Sequence, residues 1–325
     1  MDPPGGPPPE RGSQIRNVLQ EGEHAEIASG GVGGATVVRG AAVAALADAL
    51  TGAYPGADVD AFGRTETPEQ NLIASIASDS RRRALADVDQ GDGRELAPDT
   101  RRGLRPPFHS AHSSAALAVN AFGGWLKREH ELRVAGLGGF SELRFERQLR
   151  IFRGGRAPNL DVVLQGSDRL VGIESKCTEY LGGNRVEFSA AYERPNAFGG
   201  LAHPAWAAEF RALKSDGRSR YRHLDAAQLL KHYLGLKTQA DKIGKQPALV
   251  YLYWEPRNPE ADPVYGDHRW EVGVFAGRVA GGGCEFHGLS YGELWREWEG
   301  LDAGSWLARH VADLRQRYDV EVQAR

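Results

Sequence analysis

The stretch PNLDVVLQGSDRLVGIESK, residues 158–176, decides the fold. Two runs rich in β-branched and apolar residues, NLDVVLQ and RLVGIESKC, flank a Gly-Ser-Asp turn, the pattern of a β-hairpin. VVL and LVGI are apolar on both parities, which predicts central strands covered on both faces. Yet these strands carry Asp161, Glu174 and Lys176. Strand side chains alternate, so Glu174 and Lys176 share a face. A turn centred between Ser167 and Asp168 sets Asp161 opposite Glu174, with side-chain roots about 5 Å apart. Two carboxylates at that separation repel, and burial sharpens the repulsion. A cation has to sit between them. A hard divalent ion such as Mg²⁺ suits one or two carboxylates plus water and phosphate oxygens. The alternative is that Lys176 alone neutralises both acids in a partly buried ion network. The apolar flanks favour the functional reading, because charge embedded in them is costly to keep.

Outward from the hairpin, ELRFERQLRIF (142–152) alternates through Leu143, Phe145, Leu149 and Ile151 as a strand, with a break of period near Arg147. SSAALAVNAFGGWLKREHEL from Ser113 has a helical rhythm and serine caps despite Gly123 and Gly124. HLDAAQLLKHYLGLK reads as a helix, ALVYLYWEP as an apolar strand ended by Pro256, and CEFHGLS as a further strand. Ser290 and Glu293 form a capping box opening SYGELWREWE. SWLARHVADLRQRY closes the chain as an amphipathic helix. Residues 180–222 read as a polar, aromatic stretch. Residues 1–14 have the composition of a disordered Pro/Gly-rich tail. Residues 15–107 are a loosely packed or separate N-terminal region of uncertain fold, with a short Ala-rich helix in GGVGGATVVRGAAVAALADAL. Gly31-x-Gly33 lacks the further glycine and the Gly-Lys-Ser/Thr of a phosphate loop, so it reads as a flexible lead-in.

A formal charge of −3 over 325 residues excludes a generally cationic coat for nucleic acid, so a polyanion site has to be a local patch. Residues 211–245 hold such a patch: nine Lys/Arg against three Asp, including Arg218, Arg220, Arg222 and Lys231. There DNA phosphates could be held, the alternative being a solubilising surface. Tyr192, Phe198, Trp206 and Tyr221 read as packing before base stacking. His109 and His112 lack a matching Cys/His cluster and read as loop or capping residues, not zinc ligands. Two cysteines, Cys177 and Cys284, cannot build a disulfide framework and suit a reducing cytoplasm. No secretion signal or membrane span is expected.

Pro158, Asp161 and Glu174-Ser175-Lys176 resemble the signature of the PD-(D/E)XK nuclease superfamily, and the element order over about 108–320 is similar to its αβββαβ core. The run from GIESKCTEY through LDAAQLLKH to LVYLYWEP is similar to a family of bacterial restriction endonucleases. Pro158 departs from the signature, lying three residues before Asp161 instead of adjacent to it. The resemblance implies a restriction-endonuclease-like α/β fold over 108–325, with a mixed central sheet flanked by helices. It also implies a metal-dependent DNA endonuclease of restriction or defence. Asp161, Glu174 and the Ser175 main-chain carbonyl would hold Mg²⁺, with Mn²⁺ as a substitute. Lys176 would orient or help deprotonate the attacking water and stabilise charge on the phosphorane. The superfamily commonly adds an upstream acid, for which Glu129, Glu131, Glu142 and Glu146 compete; Glu146 is chosen because FERQL leads into the hairpin, and Glu179 is ambiguous. Gln228-Leu-Leu-Lys-His232-Tyr233 resembles the Gln-x-x-x-Tyr helix of recombination-type nucleases with His232 in the tyrosine position, and Asp225, Gln228 and His232 share one helix face. Double-strand cutting by one site per chain favours a homodimer. The alternatives are a non-catalytic nuclease-fold module that binds nucleic acid, and a structural or regulatory domain with an internal ion network.

Overall fold

The computed structural model describes residues 33–91, 93–151, 157–183, 186–194, 197–198, 200–217, 220–301 and 303–323, without the side chains of 33–36. The tail expected over 1–14 and Arg218 lie outside them. The chain is a mixed α/β protein built on a five-stranded sheet in sequence order: β1 (Phe140–Gln148), β2 (Asn159–Gly166), β3 (Arg169–Lys176), β4 (Gln246–Tyr253) and β5 (Glu285–Ser290). β1, β2 and β3 form an antiparallel meander, and β4 and β5 add in parallel to β3. The helices are α1 (Gly33–Ala53), α2 (Ser78–Gln90), α3 (Ser114–Phe122), α4 (Pro204–Asp216), α5 (Ala226–Ile243), α6 (Pro263–Val279), α7 (Tyr291–Glu299) and α8 (Ser305–Tyr318). Thus α3, the meander, α5 and β4 give the expected αβββαβ order, and the fold is of the restriction-endonuclease-like type.

Neighbouring side chains on β3 show how the sheet is covered. Ser175 Oγ donates to the Ser114 carbonyl of α3 and lies 2.7 Å from the Tyr291 hydroxyl of α7. Glu174, one residue earlier and hence on the other face, meets His232 of α5. β3 is therefore buried from both sides, as its apolar parities require. α5 starts at an Asp225 cap whose carboxylate accepts from the Gln228 amide at 2.9 Å. It stops at Gly244, whose φ of 67° is the left-handed conformation suited to glycine. Midway, Gly235 lets α5 lie against the end of β1; a Cβ there would come 2.9 Å from the Leu149 carbonyl oxygen. The capping box of Ser290 and Glu293 opens α7 as its sequence predicts.

Three elements differ from the sequence reading. The helix from Ser113 ends at Phe122, and the two glycines pass into short 3-10 turns at Gly123–Trp125 and Glu129–Glu131. The stretch 180–222 contains α4, whose Trp206 is fully buried and stacks on Tyr233 at 3.9 Å. The helix α6 replaces what reads as a connection between β4 and β5. In the N-terminal region, α1 is 21 residues long. Leu46, Ile73, Ile76 and Val88 share one hydrophobic core with Leu164, Val171 and Val250 of the sheet, so the packing is continuous across residue 108. The buried Arg317 of α8 ties both parts by donating to the carbonyls of Leu46 and Ala111 and to the Asn71 side chain. Among the described residues no helix is long and apolar enough to cross a membrane.

Candidate active site

Three carboxylates stand in one row across the meander. The register pairing Phe145 with Val162 and Arg147 with Leu160 sets Glu146 opposite Asp161. The register pairing Val162 with Ile173 sets Asp161 opposite Glu174, the juxtaposition read from the turn. The row opens into a cleft of about 950 Å³, also lined by Lys176 and, from α5, by Asp225, Gln228, Lys231 and His232.

The contacts divide the acids by role. Glu174 is buried; its Oε1 lies 2.6 Å from the Lys176 ammonium and its Oε2 2.9 Å from His232 Nε2. The imidazole contact is close but off the line of a good hydrogen bond. Burial by itself would raise Glu174, yet Lys176 and His232 outweigh it and hold the carboxyl at about 2. Asp161 Oδ2 accepts the Ser175 amide at 2.7 Å. Burial first, then the neighbouring Glu174 and Glu146 carboxylates, raise Asp161 well above the usual range, against the pull of Lys176 and the Ser175 amide. Glu146 accepts from Asn159 at 3.2 Å, and burial with Glu95 and Glu174 pushes it up to about 8. Burial works against the Lys176 ammonium, but Glu174, Glu179 and Asp161 more than offset it and raise its pKa, so the lysine is a fixed positive charge. The Lys176 carbonyl accepts from Trp254 N. By alternation, the N–H and C=O of Ser175 turn away from β4 toward Asp161.

The arrangement brings together most of the residues that the sequence singles out and separates others. Glu129 pairs with Arg83, Glu131 with His130 and Glu142 with Arg144, which leaves Glu146 as the one of the four competing acids lining the cleft. Glu179 accepts the Cys177 amide at 2.6 Å. His109 bonds the Thr65 carbonyl. In the basic patch, Arg222 is exposed and Lys231 reaches the cleft, its ammonium 5.7 Å from the Phe188 ring centre. Arg220 does not offer the open cation expected of it. Its guanidinium grips Glu209 through two bonds of 2.8 Å and Asp216 at 2.7 Å, and that bidentate pairing consumes its donors.

One cleft acid escaped the sequence reading. Glu95 comes from the Arg-rich segment before α3 and lies close enough to Glu146 to raise it. Burial and Glu179 raise Glu95 in turn. It lies on no strand or helix, so no periodicity could have marked it.

The mixed sheet with its acidic hairpin and half-buried lysine defines a restriction-endonuclease-like α/β protein. The chain belongs to the family REase-ARP, described as restriction endonuclease associating with ARP, which matches residues 53–319. That family carries a nuclease role of the restriction type. No curated protein and no solved structure matches the chain.

Proposed function

We propose that the chain is a PD-(D/E)XK nuclease that hydrolyses DNA phosphodiesters with the help of Mg²⁺, or Mn²⁺ in its place, in restriction of foreign DNA in the cytoplasm. The observation that carries this reading is the row of Glu146, Asp161 and Glu174 at a cleft with one ammonium, Lys176, among them. One fixed cation cannot neutralise three facing carboxylates, and the raised Asp161 and Glu146 register the excess. Hard carboxylate oxygens with room for water and phosphate are the donor set a small divalent ion takes. Among the described residues no group of three or more His, Cys, Asp or Glu side chains is arranged to hold a metal ion by itself, so an ion here would need water and substrate oxygens to complete its shell.

Asp161, Glu174 and the Ser175 carbonyl would hold the ion. When bound, it would supply Lewis-acid polarisation of the scissile phosphate and a more acidic water. Lys176, whose ammonium lies 2.6 Å from Glu174, would orient or help deprotonate the attacking water and stabilise charge growing on the phosphorane. Asp161, held by the Ser175 amide, keeps one oxygen in a fixed direction. His232 positions Glu174, and His232 and Gln228 both line the cleft.

The test is cleavage of supercoiled plasmid and of a single-stranded oligonucleotide with Mg²⁺, Mn²⁺ or EDTA, for wild type, Lys176→Ala and Asp161→Asn. Metal-dependent nicking or linearisation lost in both variants is expected, and full cleavage by Lys176→Ala would sink the assignment. The engagement of both Glu174 oxygens by Lys176 and His232 favours a second reading, a nuclease-fold module that binds DNA without cutting. It predicts metal-independent binding that persists in Asp161→Asn.

A further inference from the structure

Beside the cleft lies a second groove of about 620 Å³, between β1, the end of α2 and the C-terminal half of α5. Glu146 lines both, so the groove adjoins the cleft. The groove carries Arg144, Arg147, Arg150 and Lys242 against Asp87 and Glu146. Asp87 is already engaged, by Arg144 at 3.6 Å and by the Phe145 amide. Arg147, Arg150 and Lys242 are exposed and meet no carboxylate among the described residues. Unpaired cations gathered along a groove are the electrostatic footprint of a polyanion. Gln148 and Gln239 add amide groups of the kind that fix phosphates in register.

We propose that this groove holds the phosphate backbone of the duplex DNA flanking the scissile bond, and that it, not the Arg220 patch, is the main electrostatic contact. The proposal rests on the nuclease reading above and assigns its DNA track. Helix α5 is the ruler. His232 touches Glu174 in the cleft, and Lys242 lies ten residues on, about 15 Å along the helix axis. At about 3.4 Å per nucleotide this spans about four base steps. The flank on one side of the cut therefore passes Arg147 and Arg150, which follow Glu146 out of the cleft, and reaches Lys242 about four base pairs from the scissile phosphate.

The experiment measures binding of a labelled duplex of about 24 base pairs by anisotropy in EDTA across a NaCl series. It compares wild type, the triple variant Arg147→Ala/Arg150→Ala/Lys242→Ala, and a control of equal charge loss, Arg101→Ala/Arg296→Ala/Arg309→Ala, whose exposed arginines line neither cavity. Three lost phosphate contacts should lower the slope of log Kobs against log salt by about 2 to 3 in the first variant only. Duplexes shortened to fewer than about four base pairs beyond the cut on one side should lose affinity for wild type and not for that variant. An unchanged slope, or an equal loss in the control, overturns the groove while leaving the nuclease reading intact. Groove-dependent binding by a protein that cuts nothing in Mg²⁺ supports the groove and overturns the catalytic reading. Absence of duplex binding by wild type at low salt overturns the groove outright.

Discussion

Glu146 sits inside β1 with φ of 47°, in the left-handed region that a side-chain-bearing residue enters at a cost of about 1 kcal/mol or more. Gly91 makes room for it, since a Cβ there would come 2.7 Å from the Glu146 Cβ. The kink lets two successive residues, Phe145 and Glu146, both be buried, which is the break of period visible in FERQ. Its consequence is measurable through pH. The folded carboxyl titrates at about 8, above the ordinary glutamate value of about 4.3, so the folded state binds the proton more tightly than the unfolded chain. Stability is therefore fully present below about pH 4 and falls as pH rises toward 8. In metal-free buffer, Glu146→Gln should gain stability over wild type, by a few kcal/mol at pH 8.5 relative to pH 5, read from urea midpoints. Equal differences at both pH values would show that Glu146 ionises normally. Mg²⁺ should flatten the wild-type dependence if it neutralises the row.

At the scale of elements, α5 carries much of the architecture of the site. Its N-terminal half presents Gln228, Lys231 and His232 to the cleft, and its position is set where Gly235 meets Leu149 and Pro158. Gly235→Ala would force a Cβ against the Leu149 backbone. Overpacking of this kind costs about 1–3 kcal/mol, and alanine returns up to about 1 through helix propensity. A net loss of about 1–2 kcal/mol in urea unfolding is expected, with weaker cleavage as His232 shifts from Glu174. An unchanged midpoint would mean that the helix slides freely at this contact. That α5 is a helix was legible from its period and the Asp225 cap. α4 was not, because its apolar residues are aromatics scattered among small and charged neighbours, and their burial depends on Tyr233 and Phe275 supplied from elsewhere.

At the scale of the whole molecule, the main hydrophobic core draws on both sides of residue 108. Leu46, Ile73 and Val88 are buried in the same core as the sheet, and Arg317 takes two of its three acceptors, the Leu46 carbonyl and the Asn71 side chain, from before residue 108. A chain starting at residue 108 should therefore lack a cooperative thermal transition, since it strands a buried guanidinium and exposes the apolar face of the core. A sharp transition near that of the full chain would show the C-terminal part to be an independent domain. Such a chain would also lack Glu95, one of the cleft acids.

The sequence by itself determined the hairpin, its register and the facing of Asp161 and Glu174, because a short turn and a strict period of two leave one pairing that buries VVL and LVGI. It also determined α5, α7 and the terminal helix, whose caps and periods are local. Only the tertiary structure decided which upstream acid joins the row, that Glu95 stands beside it, that Arg220 is spent on Glu209, and that unpaired cations line up beside β1. Those outcomes depend on which distant groups come within a few ångströms of one another, and charge pairing and burial at that range leave no period in the chain.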